Sequence, residues 1–324
     1  MAVEKGWTIV AAFNRAGPKV GQDLGRLAGL ERDLGVIVQD CDTARYGDLD
    51  ADIGVVLQTN ILSTNFPAYE RFMNAGLNVI CHGTEAYYPV GNNPQLAAKI
   101  DALAKKKGVT FSGSGIWDMS RIWAGIMACA PCTHIKSILQ RSMTDMKGQG
   151  TPKQLFEFGV NLTVDEYLKK GIDKHPLWPT YRTVPEQVLA TLGYTVTKTS
   201  YEVFPITYDE PLASDYLGCV VAAGRVVGTG MTGLVETREG VTGRIEFAGR
   251  MAKPGEAETM HWSIDGSPRN IVITERLDSD YTTAACLFGR IPQVIAAPPG
   301  IVMLTELGPL MGPLWHDKRS NLSP

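Results

Sequence analysis

Hydrophobic positions in the first third of the chain alternate between two kinds of run. Short apolar runs, which are typical of buried strands, occur at 6–14, 36–38, 53–59, 78–83 and 109–113. Between these runs, apolar residues recur at helical spacing near 21–30, 65–76 and 94–107. Strands that are too apolar for one-sided exposure, and that alternate with helices, predict a parallel sheet covered on both faces.

The pattern changes after about residue 116. The sequence predicts a helix at 118–130, a strand at 134–143, and then two short helices that begin at T-x-x-E boxes, Thr163/Glu166 and Thr183/Glu186. Strand patterns without intervening helices follow at 195–206, 217–223, 226–238, 243–251, 259–265 and 270–276. This second part is expected to be an α+β unit on a mainly antiparallel sheet, and a helical pattern returns after Thr282.

The strand at 6–14 ends in Asn-Arg and a turn, which is typical of the second strand of a Rossmann unit, where the adenosine ribose is bound. Only MAVEK precedes it, too little for a first strand and its G-x-G-x-x-G turn. We therefore expect an α/β fold with a Rossmann-like parallel sheet whose first strand is missing, through either a start site set too far downstream or a real loss of the strand. The predicted domains are 1–115, with 281–324 packing back on it, and a substrate and dimerisation domain at 116–280.

Composition narrows the possible partners. Hydrophobic residues make up 44% of the chain and charged residues 20%, with a net charge of −3, which argues against nucleic acid or an anionic membrane as the main partner. No apolar run approaches 18 residues, and a cytoplasmic protein is expected. Cys129 and Cys132 form a C-x-x-C without a second pair, so we interpret them as structural thiols and predict no metal site.

Three segments carry a family resemblance. They are LNVICHGTEAYYP at 77–89, NNPQLAAKIDALAKKKGVTFSGSGI at 92–116 and IPQVIAAPPGIVML at 291–304. In this order and spacing they resemble 2,4-diaminopentanoate dehydrogenase and the native amine dehydrogenases, which are related to dihydrodipicolinate reductase through the N-terminal domain. The resemblance implies an NAD(P)-dependent enzyme that interconverts an amine and a ketone with ammonia, working as a homodimer paired through the antiparallel sheet.

The resemblance assigns the general acid and base to Glu85. Glu85 also fits this role without the resemblance, because it follows an apolar strand at the carboxyl end of a parallel sheet, where open α/β folds bind ligands. Shielding by Tyr87 and Tyr88 is expected to raise the carboxyl pKa toward the working pH. A solvated loop glutamate is the alternative. His82, at the same strand end, is either a second catalytic residue or a neutral histidine bonded to the backbone.

Polar residues at other strand ends are candidates for the cofactor site. Arg15 in place of an acidic residue favours a 2′-phosphate and therefore NADP, with NAD possible. The full candidate set is Asn14, Arg15, Lys19, Gln58, Thr59, Asn60 and Ser114.

Two departures from the family pattern bear on the substrate. Trp117-Asp118-Met119 stands where relatives carry Asn-Pro-Gly, and Tyr181 stands where a histidine is expected. Asp118 or Ser120 is predicted to cap the following helix. The candidate substrate residues are Trp117, Asp118, Trp178 and Tyr181. The aromatic side chains of Trp117, Trp123, Trp178 and Tyr181 favour an apolar or aromatic substrate.

Two other functions remain open from the sequence. The first is a reductase of another C=N or C=O compound. The second is a cofactor-free lyase, isomerase or binding protein on the same fold.

Overall fold

The computed structural model describes residues 2–3, 6–148, 150–276 and 279–311. Its strands, in chain order, are β1 (Ala12–Asn14), β2 (Val38–Asp40), β3 (Ile53–Val56), β4 (Asn78–Cys81), β5 (Thr110–Gly113), β6 (His134–Asp145), β7 (Val196–Thr207), β8 (Leu212–Ser214), β9 (Cys219–Val221), β10 (Val226–Thr237), β11 (Thr242–Arg250), β12 (Glu258–Ser267), β13 (Asn270–Arg276) and β14 (Gly300–Ile301).

The α-helices of the described residues are α1 (Leu24–Leu27), α2 (Leu62–Asn74), α3 (Pro89–Asn92), α4 (Pro94–Lys107), α5 (Ala124–Cys129), α6 (Pro152–Glu157), α7 (Val164–Lys169), α8 (Thr183–Thr191) and α9 (Ser279–Ile295). A π-helical turn at Asp118–Trp123 precedes α5. Within the described part of the chain, no helix is both long and apolar enough to cross a membrane.

Four parallel strands form the first sheet, in the order β14-β5-β4-β3. Successive residues of β4 point to opposite faces, and both faces are covered. Val79 and Cys81 pack with α2 and α4, whereas Ile80 packs against Leu287 and Ile291 of α9. The predicted parallel sheet with two covered faces is thus confirmed, and β14 joins it through its pairing with β5.

Helix α4 shows why local sequence fixes this region. The Asn93 side chain accepts a hydrogen bond from the Leu96 N–H, and Pro94 occupies the first turn, where its missing N–H costs nothing. Gly108 ends the helix in a left-handed conformation, with φ at 68°. The observed bounds match the predicted helix at 94–107.

The strands β1 and β2 form a separate parallel pair. Between β1 and β3 lies a cavity of about 1170 Å³, lined by residues 6–15 on one side and 51–59 on the other. We call this cavity the slot. The strand predicted at 6–14 is shorter than expected, because only Ala12–Asn14 have a pairing partner.

The second sheet has six strands in the order β13-β12-β6-β11-β10-β7. All neighbouring pairs are antiparallel except β6 and β11, so the mainly antiparallel sheet predicted from the sequence is confirmed. Its inner face packs against α5 and α8 in a core that includes Trp262, Ile245 and Val188. In the described residues, no helix packs on the outer face.

Two of the predicted helix caps are wrong. Asp118 and Ser120 do not cap the helix that follows, because Asp118 is bonded to Ser114 and Arg290, and the Ser120 hydroxyl donates to the Ile116 carbonyl.

The second T-x-x-E box also fails. Thr183 donates to the Thr180 carbonyl, and Glu186 pairs with Arg182 instead of closing a capping box. The first box, Thr163 with Glu166, forms as predicted. Contacts made by the second box with the preceding turn therefore override its local motif.

Candidate active site

Glu85 lies just beyond the carboxyl end of β4, in a short 3₁₀ turn at Thr84–Tyr87. Its Oε2 accepts a hydrogen bond of 2.6 Å from the Leu62 N–H at the start of α2, and its own N–H donates to the Asn60 carbonyl. Burial raises the pKa of Glu85 above its ordinary value, and the bond from Leu62 only partly opposes this. Such a carboxyl group can hold a proton closer to neutral pH than a solvated glutamate can.

A buried amide fixes the turn that faces Glu85. Asn65 is fully buried, and its Nδ2 donates to the Thr59 carbonyl at 2.7 Å while its Oδ1 accepts from the Thr59 N–H at 3.1 Å. These bonds set where α2 begins and hence where the Leu62 N–H points. The sequence analysis missed Asn65, because an asparagine near a helix start carries no distinctive pattern.

His82 is half-buried beside the same edge of the sheet. Its Nδ1 lies 3.3 Å from the Val56 carbonyl of β3, and burial lowers the pKa of the imidazole. A neutral ring that donates from Nδ1 to the carbonyl fits both observations. The structure therefore brings His82 and Glu85 to one edge of the sheet, with the histidine tied to the backbone.

The turn after Glu85 is held by α8 of the second sheet's layer. Gln187 Nε2 donates to the Tyr87 carbonyl at 3.1 Å, and Arg182 donates to the Gly91 carbonyl at 3.3 Å. Arg182 also pairs with Glu186 at 2.8 Å. Burial raises the pKa of Glu186, and the nearby Arg182 guanidinium opposes that shift. Side chains from α8 thus position the segment that carries the candidate acid.

The predicted substrate residues meet in an aromatic cluster. The Trp117 ring lies 5.6 Å from Tyr87 and 4.9 Å from Tyr181, and Tyr181 stacks on Phe247 with centroids 3.8 Å apart. Trp178 lies 6.5 Å from Phe247 and donates its Nε1–H to the Ile172 carbonyl. Trp117, Trp178 and Tyr181 are therefore brought together, and Phe247 is a member that sequence analysis missed.

Arg121 was also missed. Its guanidinium is fully buried 4.9 Å from the Trp117 ring centroid and donates to Gln140 and Ser142 on β6. Burial lowers the pKa of Arg121 to about 9. The only sequence signal was a charged residue at the start of the apolar run RIWAGIMACA, and the structure places its guanidinium beside the aromatic cluster.

Ser114 and Asp118 occupy a different environment from that expected for ligand contacts. Both are fully buried, and the Ser114 hydroxyl donates to Asp118 at 2.8 Å. Arg290 of α9 donates to both oxygens of Asp118 at 2.6 Å. In the described conformation these side chains connect the end of β5 to α9 and have no surface left for a ligand.

The candidate cofactor residues separate into two groups. Asn14, Arg15, Gln58 and Thr59 all line the slot, so the structure brings the ends of β1 and β3 to one cavity. Lys19 is exposed and does not line the slot. Asn60 lies beside Glu85 instead: its side-chain Oδ1 accepts from the Thr84 N–H, and its backbone carbonyl accepts from the Glu85 N–H.

The diphosphate part of a dinucleotide does not fit the residues that line the slot. Such a group is held by backbone N–H donors of a glycine-rich turn between a strand and a helix. The glycines lining the slot are Gly6 and Gly54, and neither lies in a turn of that kind. Among the described residues that line the slot, none provides such a cradle.

Thiols and acidic groups also occur together outside this site. Burial raises the pKa of Cys129 to about 12, and the Cys132 thiol donates to the Pro268 carbonyl. Among the described residues, Asp40, Cys41 and Asp42 have potential ligand atoms within 4.8 Å of one another, and Asp42 is paired with Arg71.

Known proteins resemble the chain along most of its length. No family model matches it. A curated relative, 2,4-diaminopentanoate dehydrogenase of Acetoanaerobium sticklandii, is 26% identical over 288 residues, which cover 84% of this chain and 78% of the relative.

Solved structures extend this likeness to the fold. Amine dehydrogenase from Mycobacterium smegmatis matches with a TM-score of 0.83 and 29% identity over 96% of this chain and 92% of that one. A probable dehydrogenase from Thermotoga maritima shares the fold, with a TM-score of 0.55 and 11% identity over 94% and 87% of the two chains. By sequence and by fold, the chain is thus similar to 2,4-diaminopentanoate dehydrogenase and to amine dehydrogenase, as the three segments predict.

Proposed function

We propose that this protein interconverts an amine and a ketone, with a nicotinamide cofactor as the hydride carrier and Glu85 as the general acid and base. The grouping with two named dehydrogenases supports a dehydrogenase that acts on an amine. The position of Glu85 is the observation that supports its role. Its half-buried carboxyl group lies at the carboxyl edge of the parallel sheet, and Tyr87 of the same turn contacts Trp117 of the aromatic cluster.

Hydrogen bonding gives the two oxygens of Glu85 different roles. Oε2 is bound by the Leu62 N–H, whereas Oε1 has no hydrogen-bond partner among the described residues. Oε1 is therefore the atom that accepts a proton from the ammonium group or its adduct and returns it in the reverse direction. Burial favours the protonated form, which is needed when the carboxyl acts as the acid.

The proposed substrate is an amine or ketone whose apolar part, an alkyl or aryl group, packs against Trp117 and Tyr181. Trp117 is buried and Tyr181 is partly buried, and Arg121 with its partners on β6 places polar atoms beside these rings.

Arg15 supports NADP as the preferred cofactor. Arg15 is exposed at the end of β1. The Asn14 side chain accepts a hydrogen bond from the backbone N–H of Arg15, and this bond does not involve the guanidinium. A guanidinium at this strand end favours a 2′-phosphate through a charge-assisted contact. NADPH is therefore expected to bind more tightly than NADH, and Arg15→Ala is expected to remove most of that difference.

The outer face of the six-stranded sheet is the homodimer contact in this proposal. It presents four apolar side chains that are at least two-fifths exposed: Phe204, Leu234, Ile271 and Ile273. An apolar sheet face of this kind is typical of a protein interface.

Glu85→Gln tests the central role. The variant is purified from cells that carry the substitution in the native gene, and NADPH consumption is followed with ammonia and a panel of alkyl and aryl ketones. Turnover is expected to fall by on the order of 10² to 10⁴, with NADPH affinity unchanged, because the amide cannot exchange a proton. Glu70→Gln on the exposed side of α2 is the matched control. Full turnover in Glu85→Gln would contradict the assignment.

The pH dependence gives a second check. In the oxidative direction the carboxylate form acts as the base, so the rate should rise with pH through an apparent pKa above the ordinary glutamate value. That limb should be absent from Glu85→Gln and present in Glu70→Gln. Turnover with carbonyl substrates in the absence of ammonia would instead favour the reductase alternative.

A further inference from the structure

Arg121 carries a buried charge that its protein neighbours satisfy only in part. The residue is 1% exposed, and its Nη1 donates to Gln140 Oε1 at 3.2 Å and to Ser142 Oγ at 2.8 Å. Both acceptors are neutral, and the Nε–H of Arg121 is a buried donor without an acceptor among the described residues. A buried guanidinium that is not bonded to a carboxylate is costly, and such groups concentrate at functional sites.

Arg276, at the end of β13, repeats this arrangement beside Arg121. It is 9% exposed, and its Nη2 pairs with Glu258 at 2.9 Å and donates to Thr144 at 3.1 Å. Its Nε–H is likewise a buried donor for which the described part of the chain offers no acceptor. Burial is the main cause of the lowered pKa of Arg121, and Arg276 adds to this effect while Glu258 opposes it. Two guanidiniums and one carboxylate thus leave one positive charge in excess among these three neighbours.

Three aromatic rings surround the Arg121 guanidinium. Its central carbon lies 4.9 Å from the Trp117 ring centroid, 5.4 Å from that of Tyr181 and 5.7 Å from that of Phe247. Trp117 and Phe247 are buried, whereas Tyr181 is partly exposed. Tyr181 therefore marks the side from which a ligand can approach the guanidinium.

The same rings connect Arg121 to the candidate acid. Tyr87 follows Glu85 by two residues in the same turn, and its ring lies 5.6 Å from that of Trp117. The order along the cluster is thus Glu85, Tyr87, Trp117 and Arg121. An elongated ligand whose reacting carbon lies at Glu85 and whose apolar part packs on Trp117 would have its far end at Arg121.

We propose that Arg121 and Arg276 form a subsite for a carboxylate at the far end of the substrate. A carboxylate supplies acceptors for the unpartnered Nε–H groups and cancels the excess positive charge. The substrate class is then an amine or ketone that has an apolar middle part and a terminal carboxylate. This assignment of the ligand as substrate rests on the proposed function, whereas the anion subsite itself rests on the buried charge and the two unpartnered donors.

Matched ketones test the subsite in the unmodified protein. Methyl ketones of increasing chain length that end in a carboxylate are compared with the same ketones ending in an isopropyl group, which has nearly the same shape but no charge. With ammonia and NADPH, kcat/KM should be higher for the carboxylate series by on the order of a hundredfold, because the isopropyl group leaves the buried donors unpaired. High salt should change this preference little, because buried charges are weakly screened. Equal values for the two series, or a preference that disappears at high salt, would overturn the proposal.

Variants assign the preference to its residues. Arg121→Met should remove it, and Arg276→Lys, which keeps a charge beside Glu258 but has no Nε–H donor, should reduce it. Arg141→Met is the matched control, because Arg141 lies on β6 but is exposed and pairs with Glu246. A preference retained in Arg121→Met would overturn the proposal. If that variant does not fold, the comparison of the two series in the unmodified protein decides.

Binding measured without turnover separates this proposal from the proposed function. Isothermal titration calorimetry with NADPH present and ammonia absent compares the two ketone series. Binding of the carboxylate series that is lost in Arg121→Met, together with no amine formation from either series, would uphold the subsite and refute the proposed function. Amine formation from both series without any preference would do the reverse.

Discussion

Replacing Arg290 by leucine should lower the folding stability of the protein severely. Arg290 and Asp118 are both completely buried, and the guanidinium contacts both carboxylate oxygens at 2.6 Å. Arg290→Leu leaves a buried carboxylate whose remaining side-chain donor is the Ser114 hydroxyl. It also removes the donor to the Gly308 carbonyl.

The magnitude follows from these contacts. Breaking one partner of a buried ion pair costs about 3–5 kcal/mol, because the other charge stays buried without compensation. Loss of the bond to the Gly308 carbonyl adds about 1 kcal/mol. The total of about 4–6 kcal/mol is a large part of the 5–15 kcal/mol that usually separates folded from unfolded proteins.

Urea unfolding followed by tryptophan fluorescence measures the effect. With a urea slope of about 3 kcal/mol per molar, the midpoint should fall by roughly 1.3–2 M. The double variant Asp118→Leu/Arg290→Leu should be more stable than Arg290→Leu alone, because it removes the stranded charge. Arg26→Leu, which breaks the exposed pair with Asp33, is the control and should leave the midpoint unchanged. A midpoint for Arg290→Leu equal to that of the control would refute the reasoning.

Two further predictions concern the turn facing Glu85 and the outer sheet face. Asn65→Ala should cost about 2–4 kcal/mol of folding stability, because the Thr59 backbone loses both partners. It should also lower kcat more than it raises KM, because the Leu62 N–H is no longer fixed. An equal loss of kcat in a control variant with the same loss of stability would contradict this. Ile273→Glu should convert a dimer into a monomer in light scattering, whereas Val220→Glu, exposed on β9, should not; dimers of both variants would place the contact elsewhere.

Elements with local signals were predictable from the sequence. Helix α4 carries its own start and stop in Asn93, Pro94 and Gly108, so its bounds were predicted to the residue. The strands of the second sheet were predicted within a few residues because their apolar runs are bounded by turns. Glu85 was placed at a strand end by the same reasoning, and the structure puts it there.

Features that depend on distant partners were not predictable. The hydrogen bond from Arg290 to Asp118 joins residues 172 positions apart, and no sequence pattern near Asp118 predicts it. The Thr183 box does mark the start of α8, yet its two side chains bond to the Thr180 carbonyl and to Arg182 instead of closing a capping box. Arg121 and Phe247 become neighbours only when a π-helical turn packs on β11, so spacing along the chain could not pair them.

The two-sided support of the Glu85 turn limits how this protein can be re-engineered. Leu62 holds the carboxylate from the first sheet's layer, while Gln187 and Arg182 hold Tyr87 and Gly91 from the second. A chimera that exchanges the part with the six-stranded sheet for that of a relative would therefore also exchange the residues that support the turn of Glu85, the proposed acid. Changing specificity by grafting requires that the donor helix bring equivalents of both side chains, or the transplanted pocket will face a misplaced carboxylate.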